Sequence, residues 1–338
     1  MASTRDCTGS GNGWVMVFSI HFNNDSPLTN VVMPQENFTL AHLTDPHLTP
    51  LTGVQPQSLL NKRILGYLSW QLRRRHEHRP EVLAALIADL HRQEPDHITI
   101  TGDLTQISLD REFQQAAQWL TRLGAPDQIS VVPGNHDTYI PLAWHESLAY
   151  WQNYMTSDSA TEITFPFFRR RGPVALIGIN SAVPSAPFLA TGMVGEEQIQ
   201  RLTALLEATA KQNLFRIILI HHPPHPEAIK ARKRLTDSKP VQTLLRQYGC
   251  ELILHGHTHL WQLHWLPGPN KTNIPMIGVP SASAIGHKRG YRARYHLYRI
   301  EKSRKGWQLS VEIRGLGENL TFAKEGSFIV EMPKPIAG

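Results

Sequence analysis

Cysteine is nearly missing from this chain: 338 residues contain two, Cys7 and Cys250. Two thiols build neither a disulfide framework nor a thiolate metal cluster, and the composition fits a reducing compartment. Long apolar runs are missing too. No stretch approaches the roughly 20 residues of a membrane span. Residues 14–20 are apolar but short, with Arg5 upstream and His21, Phe22 and two asparagines downstream, poor flanks for a secretory leader. No internal repeat and no low-complexity segment is present, which leaves out repeat arrays and fibrous classes.

What is there is enough for one large domain. The apolar fraction is an ordinary 41%. Lys and Arg number 34 against 28 Asp and Glu, a formal charge of +6. The excess is local, in Arg73-Arg74-Arg75, Arg169-Arg170-Arg171, Arg232-Lys233-Arg234 and Lys288-Arg289. Such runs suit anionic substrates, acidic membrane surfaces or nucleic acid, and equally suit solvated loops.

Strand and helix patterns alternate along the chain. Residues 38–44, 97–101, 129–132, 174–180, 215–220 and 251–254 read as strands. The runs 174–180 and 215–220 are apolar throughout, as strands covered on both faces are. Leu83, Leu86, Ile87 and Leu90 form a helical stripe behind Pro80, and Phe113, Ala116, Ala117 and Leu120 form another that Gly124 can end. Helices are also expected over 142–154 and 195–210, and around Val241, Leu244, Leu245 and Tyr248. Strands at 261–266 and 274–279 and a hairpin of 294–300 with 306–314 follow. The expected organisation is a tail over 1–36 (unless Met33 is the true start), one domain over 37–316, and a C-terminal tail over 317–338.

Metal-ligand side chains follow the strand ends in one order: Asp45 and His47, Asp103, Asn135 and His136, His221, then His257 and His259. Their contexts read T-D-P-H, T-G-D, P-G-N-H-D, I-H-H-P-P and H-G-H-T-H. Side chains two apart in extended chain point the same way, so Asp45 and His47 can grip one ion and His257 and His259 can converge. Asp103, at a strand end, can place one carboxylate oxygen on each of two ions. Imidazole, carboxylate and amide together suit Mn, Fe, Co or Zn rather than Ca. Five ordered pieces of this kind point to a two-metal hydrolase. A lone histidine such as His91, His145 or His264 carries no such weight.

These motifs, between residues 38 and 283, resemble those of the calcineurin-like metallophosphoesterase superfamily. The resemblance implies an α/β fold, a four-layer αββα sandwich with metals at strand-end loops. It implies Asp45, His47, Asp103 and His259 around one divalent ion, and Asp103, Asn135, His221 and His257 around the other. In H-H-P-P the first histidine is the family's ligand; His222 would face the opposite way. The implied reaction is cleavage of a phosphodiester or pyrophosphate bond by a metal-bridging hydroxide. His136 would stabilise the transition state or protonate the leaving oxygen, with Asp137 orienting its ring. The protein Ser/Thr phosphatase branch is disfavoured because no arginine follows Gly102-Asp103-Leu104-Thr105-Gln106. Purple acid phosphatases are disfavoured because Gln106 stands where they place a tyrosine. The phrases are closest to bacterial cyclic-nucleotide and glycerophosphodiester phosphodiesterases.

Residues 57–79 form an insertion leaving the strand end that bears Asp45 and His47. Leu60, Ile64, Tyr67, Leu68 and Leu72 fall on one helical face, and Lys62, Ser69 and Arg73 on the other, with Trp70 at a boundary. A basic amphipathic helix over 57–75 suits a peripheral membrane contact, or simple packing on the domain. Placed as a lid, it makes Trp70, Arg73 and Arg74, with His222, candidate substrate contacts. The expected substrate is a small anionic phosphoester or nucleotide-type diester, in the cytoplasm or at the membrane face. A lipid-linked pyrophosphate such as UDP-2,3-diacylglucosamine is the alternative, since pyrophosphohydrolases of that lipid belong to this superfamily and use lids. A nuclease is disfavoured for want of a dedicated nucleic-acid module. A non-catalytic scaffold is disfavoured because every ligand position is filled.

Overall fold

The computed structural model describes residues 37–158, 160–287, 289–303 and 306–332. The expected tail over 1–36, with its apolar run, lies outside the described residues.

Two six-stranded sheets form the centre. The first has the order β12-β11-β10-β1-β2-β3 and the second β4-β5-β6-β7-β9-β8. β1 (Asn37–Leu43), β2 (His97–Ile100) and β3 (Ile129–Val131) run parallel. So do β5 (Val174–Gly178), β6 (Phe215–Ile220), β7 (Leu252–His255) and β9 (Asn273–Gly278). β8 (Gln262–Pro267) pairs antiparallel with β9. β10 (Arg294–Ser303) and β11 (Gly306–Leu316) form the expected hairpin beside β1.

Strand periodicity divides the core. Ile217 and Leu219 join the larger apolar cluster with Leu40, Ile100, Leu86 and Phe113, whereas Ile218 and Ile220 face a second cluster with Leu202, Leu206, Val241 and Leu245. Four helices supply the outer layers: α3 (Pro80–Arg92) and α4 (Asp110–Leu123), then α5 (Glu196–Lys211) and α6 (Ser238–Tyr248). The architecture is the expected four-layer αββα sandwich. No helix among the described residues is long and apolar enough to cross a membrane.

Three expectations about elements need correction. The helix over 142–154 is instead two 3₁₀ segments, Trp144–Glu146 and Leu148–Tyr154, with a break at Trp151 (φ −130°). Burying Trp151 against Phe113, with ring centroids 5.3 Å apart, decides the backbone there over helical periodicity. The run Arg169-Arg170-Arg171 is not a solvated loop but lies in β4 (Phe167–Arg171). Arg169 is buried and donates to the carbonyls of Thr156, Pro126, Ile129 and Asn153. The expected C-terminal tail contains β12 (Phe322–Val330), which pairs with β11. Phe322 and Val330 are buried, while Glu325 pairs with Arg294 at 2.6 Å. The polar residues on this edge strand hide its pattern from a hydrophobicity reading.

The insertion is helical, but turned over. α1 (Arg63–Ser69) leads through one π-helical turn, Trp70–Arg74, into the short α2 (Arg75–Glu77). Gly66 faces inward, where a Cβ would collide with Ile107 and Tyr139, so only glycine permits the approach. Trp70 is buried with Leu51, Ile107 and Leu109. Leu60, Ile64, Leu68 and Leu72 face out, 84%, 40%, 49% and 76% exposed.

Candidate dinuclear metal centre

All candidate ligands stand at the C-terminal ends of parallel strands, β1, β2 and β3 of one sheet and β6 and β7 of the other. That is where open α/β sheets leave room for ligands. The loops turn sharply there. Asp45, His47, Asp103, His257 and His259 all have positive φ, at 49°, 41°, 57°, 69° and 55°. L-residues rarely adopt this region, and the strain is held by surrounding bonds. Thr44 Oγ1 and the His257 N–H donate to Asp45 Oδ2 at 2.7 and 3.0 Å. Gln106 Nε2 donates to the His47 carbonyl at 2.9 Å. A Cβ on Gly134 would overlap the Asp103 carboxylate, so glycine is required for the two loops to touch.

The ligand atoms converge in two groups. Asp45, His47, Asp103 and His259 offer atoms that all lie within 4.8 Å of one another. Within it, His47 Nε2 is 3.3 Å from His259 Nε2, which is 3.1 Å from Asp45 Oδ1. Beside it, His221 Nε2 is 3.2 Å from Asn135 Oδ1 and 3.4 Å from Asp103 Oδ2. His257 joins His221 and His222 in a further set of mutually close donor atoms. Asp103 corrects one expectation. Its Oδ1 accepts the His136 N–H at 2.7 Å, so it is the single oxygen Oδ2 that faces both His47, at 3.8 Å, and His221.

The outer nitrogens are tied back. His221 Nδ1 donates to the Thr101 carbonyl at 2.7 Å, and His47 Nδ1 to that of Thr105 at 3.2 Å. A carbonyl can only accept, so in the neutral ring each Nε2 presents its lone pair toward the centre. His257 is tied the other way round, with Nε2 on the Lys233 carbonyl at 2.9 Å. Electron-pair donors packed this closely fit divalent cations. Burial works against charge on His221, yet the Asp103 carboxylate and then Asp45 hold its imidazole up at about 9, so a cation taken up beside these carboxylates replaces the proton on Nε2. The residues present therefore fit two ions.

His136 borders the centre, its ring edge-on to His47 with centroids 4.9 Å apart. Asp137 does not orient it. Asp137 accepts the backbone N–H groups of Asp103, Thr105 and Gly134, each at 2.9 Å, and braces the metal loops. Burial and the Asp103 charge push its carboxyl up to about 7. The His136 ring is set instead by Gln106 and Arg74. Nδ1 lies 2.6 Å from the Gln106 carbonyl and must carry the hydrogen. Arg74 Nη1, 2.9 Å from Nδ1 and 3.4 Å from Nε2, is left to donate to Nε2. Burial, and then Arg74, against the pull of Asp103, hold His136 at about 3, so the ring is neutral near pH 7.

A cleft of about 520 Å³ opens over these residues. Arg73, Arg74, Lys62, Arg232 and Lys233 line it, with Leu65, Leu68, Phe188 and Leu189 as apolar wall. Of the expected substrate contacts, Arg73 and Arg74 are therefore here. Trp70 is not, because it fills the small core that pins the insertion. Nor is His222: it is fully buried, with Nδ1 2.9 Å from Ser181 Oγ and its ring 4.4 Å from that of His257. Sequence reasoning missed His78, whose ring is 4.5 Å from that of His47. It missed the bracing by Gln106 and by Glu112, which accepts from the N–H groups of Gln106, Ile107 and Leu109. No motif marks His78; only its place at the end of the insertion hints at it.

The calcineurin-like phosphoesterase family model matches residues 38–260, and the chain belongs to that family. It is a hydrolase of phosphoester bonds, of a family that works with divalent metals. Among curated proteins it is similar to UDP-2,3-diacylglucosamine hydrolase of Aeromonas salmonicida, 24% identical over 205 residues, covering 55% of this chain and 74% of that relative. Among solved structures it is similar in fold to a dimetal phosphatase from Danio rerio (TM-score 0.57, 13% identity, 85% of this chain and 98% of that one). It is also similar to a purple acid phosphatase from yellow lupin, Lupinus luteus (TM-score 0.58, 13% identity, 87% and 54%).

Proposed function

We propose that this enzyme cleaves a pyrophosphate or phosphodiester bond in an amphiphilic substrate, with a chemistry like that named for its Aeromonas relative. The observation that carries the reading is the lining of the cleft, which brings together metal-ligand atoms, cationic side chains and four large apolar side chains. A phosphate group suits the ligand atoms and cations, and an acyl chain suits Leu65, Leu68, Phe188 and Leu189. The outward stripe of Leu60, Ile64, Leu68 and Leu72 beside Arg73 and Arg75 supports a peripheral membrane contact through residues 57–75.

Asp45, His47, Asp103 and His259 would hold one ion, and Asp103, Asn135, His221 and His257 the other, from among Mn, Fe, Zn and Co. When bound, two such ions bring the phosphate to a water made nucleophilic at neutral pH. The chain does the rest. The carbonyls of Thr101, Thr105 and Lys233 keep the ligand imidazoles in one tautomer. Arg74, a permanent cation, balances charge that develops on the phosphoryl oxygens. His136, with its Nδ1 hydrogen committed to Gln106, can release a proton only as the imidazolium that its surroundings oppose. Its role is therefore to hold Arg74 and shape the pocket, before that of an acid.

A substrate panel tests the reading: manganese-reconstituted enzyme against bis-p-nitrophenyl phosphate, cyclic AMP, a glycerophosphodiester and a UDP-diacyl sugar. The expected result is the highest kcat/KM on the acylated pyrophosphate. Preference for cyclic AMP or the glycerophosphodiester would return a small diester to first place.

A further inference from the structure

His78 is neither in a recognised motif nor in the ligand set above, yet it is buried against that set. It closes the insertion, and the chain around it is stitched to the loop after β9. His78 forms a bridge with Ala284, the Arg79 N–H donates to the Ser283 carbonyl at 2.8 Å, and the Ile285 N–H donates to that of Glu77 at 2.9 Å. The ring is 2% exposed, with centroids 4.5 Å from His47 and 5.7 Å from His259. Nitrogen atoms of His47, His78 and His259 all lie within 4.8 Å of one another. Asp45 and Asp103 form a second, overlapping set with His47 and His259. The same two imidazoles are thus approached by carboxylates and by His78.

The hydrogen bonds decide which nitrogen is available. Ser281 Oγ lies 2.6 Å from the Asp45 carbonyl, and its one hydrogen goes there. Ser281 Oγ can then only accept, from His78 Nδ1 at 3.2 Å and from Ser283 Oγ at 3.4 Å. Ser283 Oγ accepts in turn from His78 Nδ1 at 2.9 Å. The chain His78 → Ser283 → Ser281 → Asp45 uses each hydrogen once. It leaves His78 Nε2 as a lone pair, the form in which imidazole binds metal.

We propose that His78 is a further nitrogen donor to the ion held by Asp45, His47, Asp103 and His259, so that the insertion is part of the metal centre. The inference rests on the two-metal reading above. It makes the insertion's order depend on metal: filling this site fastens residue 78, and with it the π-helical turn that carries Arg74, over the cleft.

The test is a manganese titration of the metal-stripped full chain, wild type and His78→Ala, by calorimetry, with amide hydrogen exchange over residues 57–79. Two ions per wild-type chain are expected. In His78→Ala one ion should bind on the order of 10–100-fold more weakly, the range seen when groups supporting a metal site are lost. The other ion should be unchanged, and manganese should no longer protect the insertion. Wild-type affinity at both sites in the variant overturns the proposal while leaving the two-metal reading intact. A wild type that binds no manganese, zinc or iron overturns both. Should His78→Ala fail to fold, His78→Phe keeps a ring of similar bulk and removes the donor nitrogen. A weakening of the same ion supports the proposal, and unchanged binding overturns it.

Discussion

The backbone N–H of His136 donates to Asp103 Oδ1 at 2.7 Å. This bond engages one carboxylate oxygen with the backbone, while the other, Oδ2, faces His47 and His221 together. A single atom is then common to both candidate sites. Asp103→Ala should lose both ions, not one, with turnover falling below detection. Metal analysis of the purified variant checks this, and two retained ions would refute the shared oxygen.

Arg74→Ala should keep both metals and lower kcat by about 10²–10³, the cost of removing one preorganised donor from a developing charge. The loss should be equal for nitrophenyl and alkyl leaving groups, because charge on the phosphoryl group does not depend on the leaving group's need for a proton. His136→Ala should follow the same pattern with a smaller loss. If instead His136→Ala spares nitrophenyl esters and cripples alkyl esters, the histidine is a general acid.

Asp137→Ala should destabilise the fold and loosen the loops that carry Asp103 and Asn135. Three buried backbone donors, of Asp103, Thr105 and Gly134, lose their acceptor. An unsatisfied buried donor costs about 1–3 kcal/mol, so a loss of at least about 3 kcal/mol is expected in urea unfolding. Wild-type stability in this variant would show that water replaces the carboxylate.

Acid should weaken the fold before carboxylates titrate. Burial holds His97 at about 3, helped by Arg171 and Arg169, and holds His296 at about 3, helped by Arg294. An unfolded histidine titrates near 6.5. Between those values the unfolded chain binds protons that the folded chain refuses, so these two histidines make stability fall as pH drops below about 6.5 and add no slope above it. Each histidine contributes up to about 1.4 kcal/mol per pH unit. Urea midpoints at pH 7.5, 6.5 and 5.5 measure the slope, and His97→Gln should reduce it by one proton. The same slope in His97→Gln as in the wild type contradicts the assignment.

Replacing Ile64, Leu68 and Leu72 with serine should leave the melting temperature nearly unchanged, because these side chains face solvent. Binding to anionic vesicles and turnover of an acylated substrate should both fall, while hydrolysis of bis-p-nitrophenyl phosphate persists. A variant that melts early and loses both activities would mean the stripe is covered by protein.

The sequence by itself determined most of the strands, though not β4 or β12, the helices with long apolar stripes, and the candidate ligand positions. Those are local properties: period-two and period-3.6 patterns, and side chains at spacings a sharp turn can bring together. What lies around the ligands depended on distant contacts. Which oxygen of Asp103 faces the sites depends on the loop after β3, and the partners of Asp137 are N–H groups up to 34 residues away. The insertion's amphipathic pattern was legible, but its orientation was not. Gly66 and Trp70 outweigh the aliphatic stripe, because a glycine lets the helix touch Ile107 and Tyr139 where a larger residue would hold it off. His78 stands 31 residues beyond His47 in the chain. Only the stitching of its backbone to the loop after β9 brings it to the metal ligands, and no periodicity in a sequence encodes a contact between two loops.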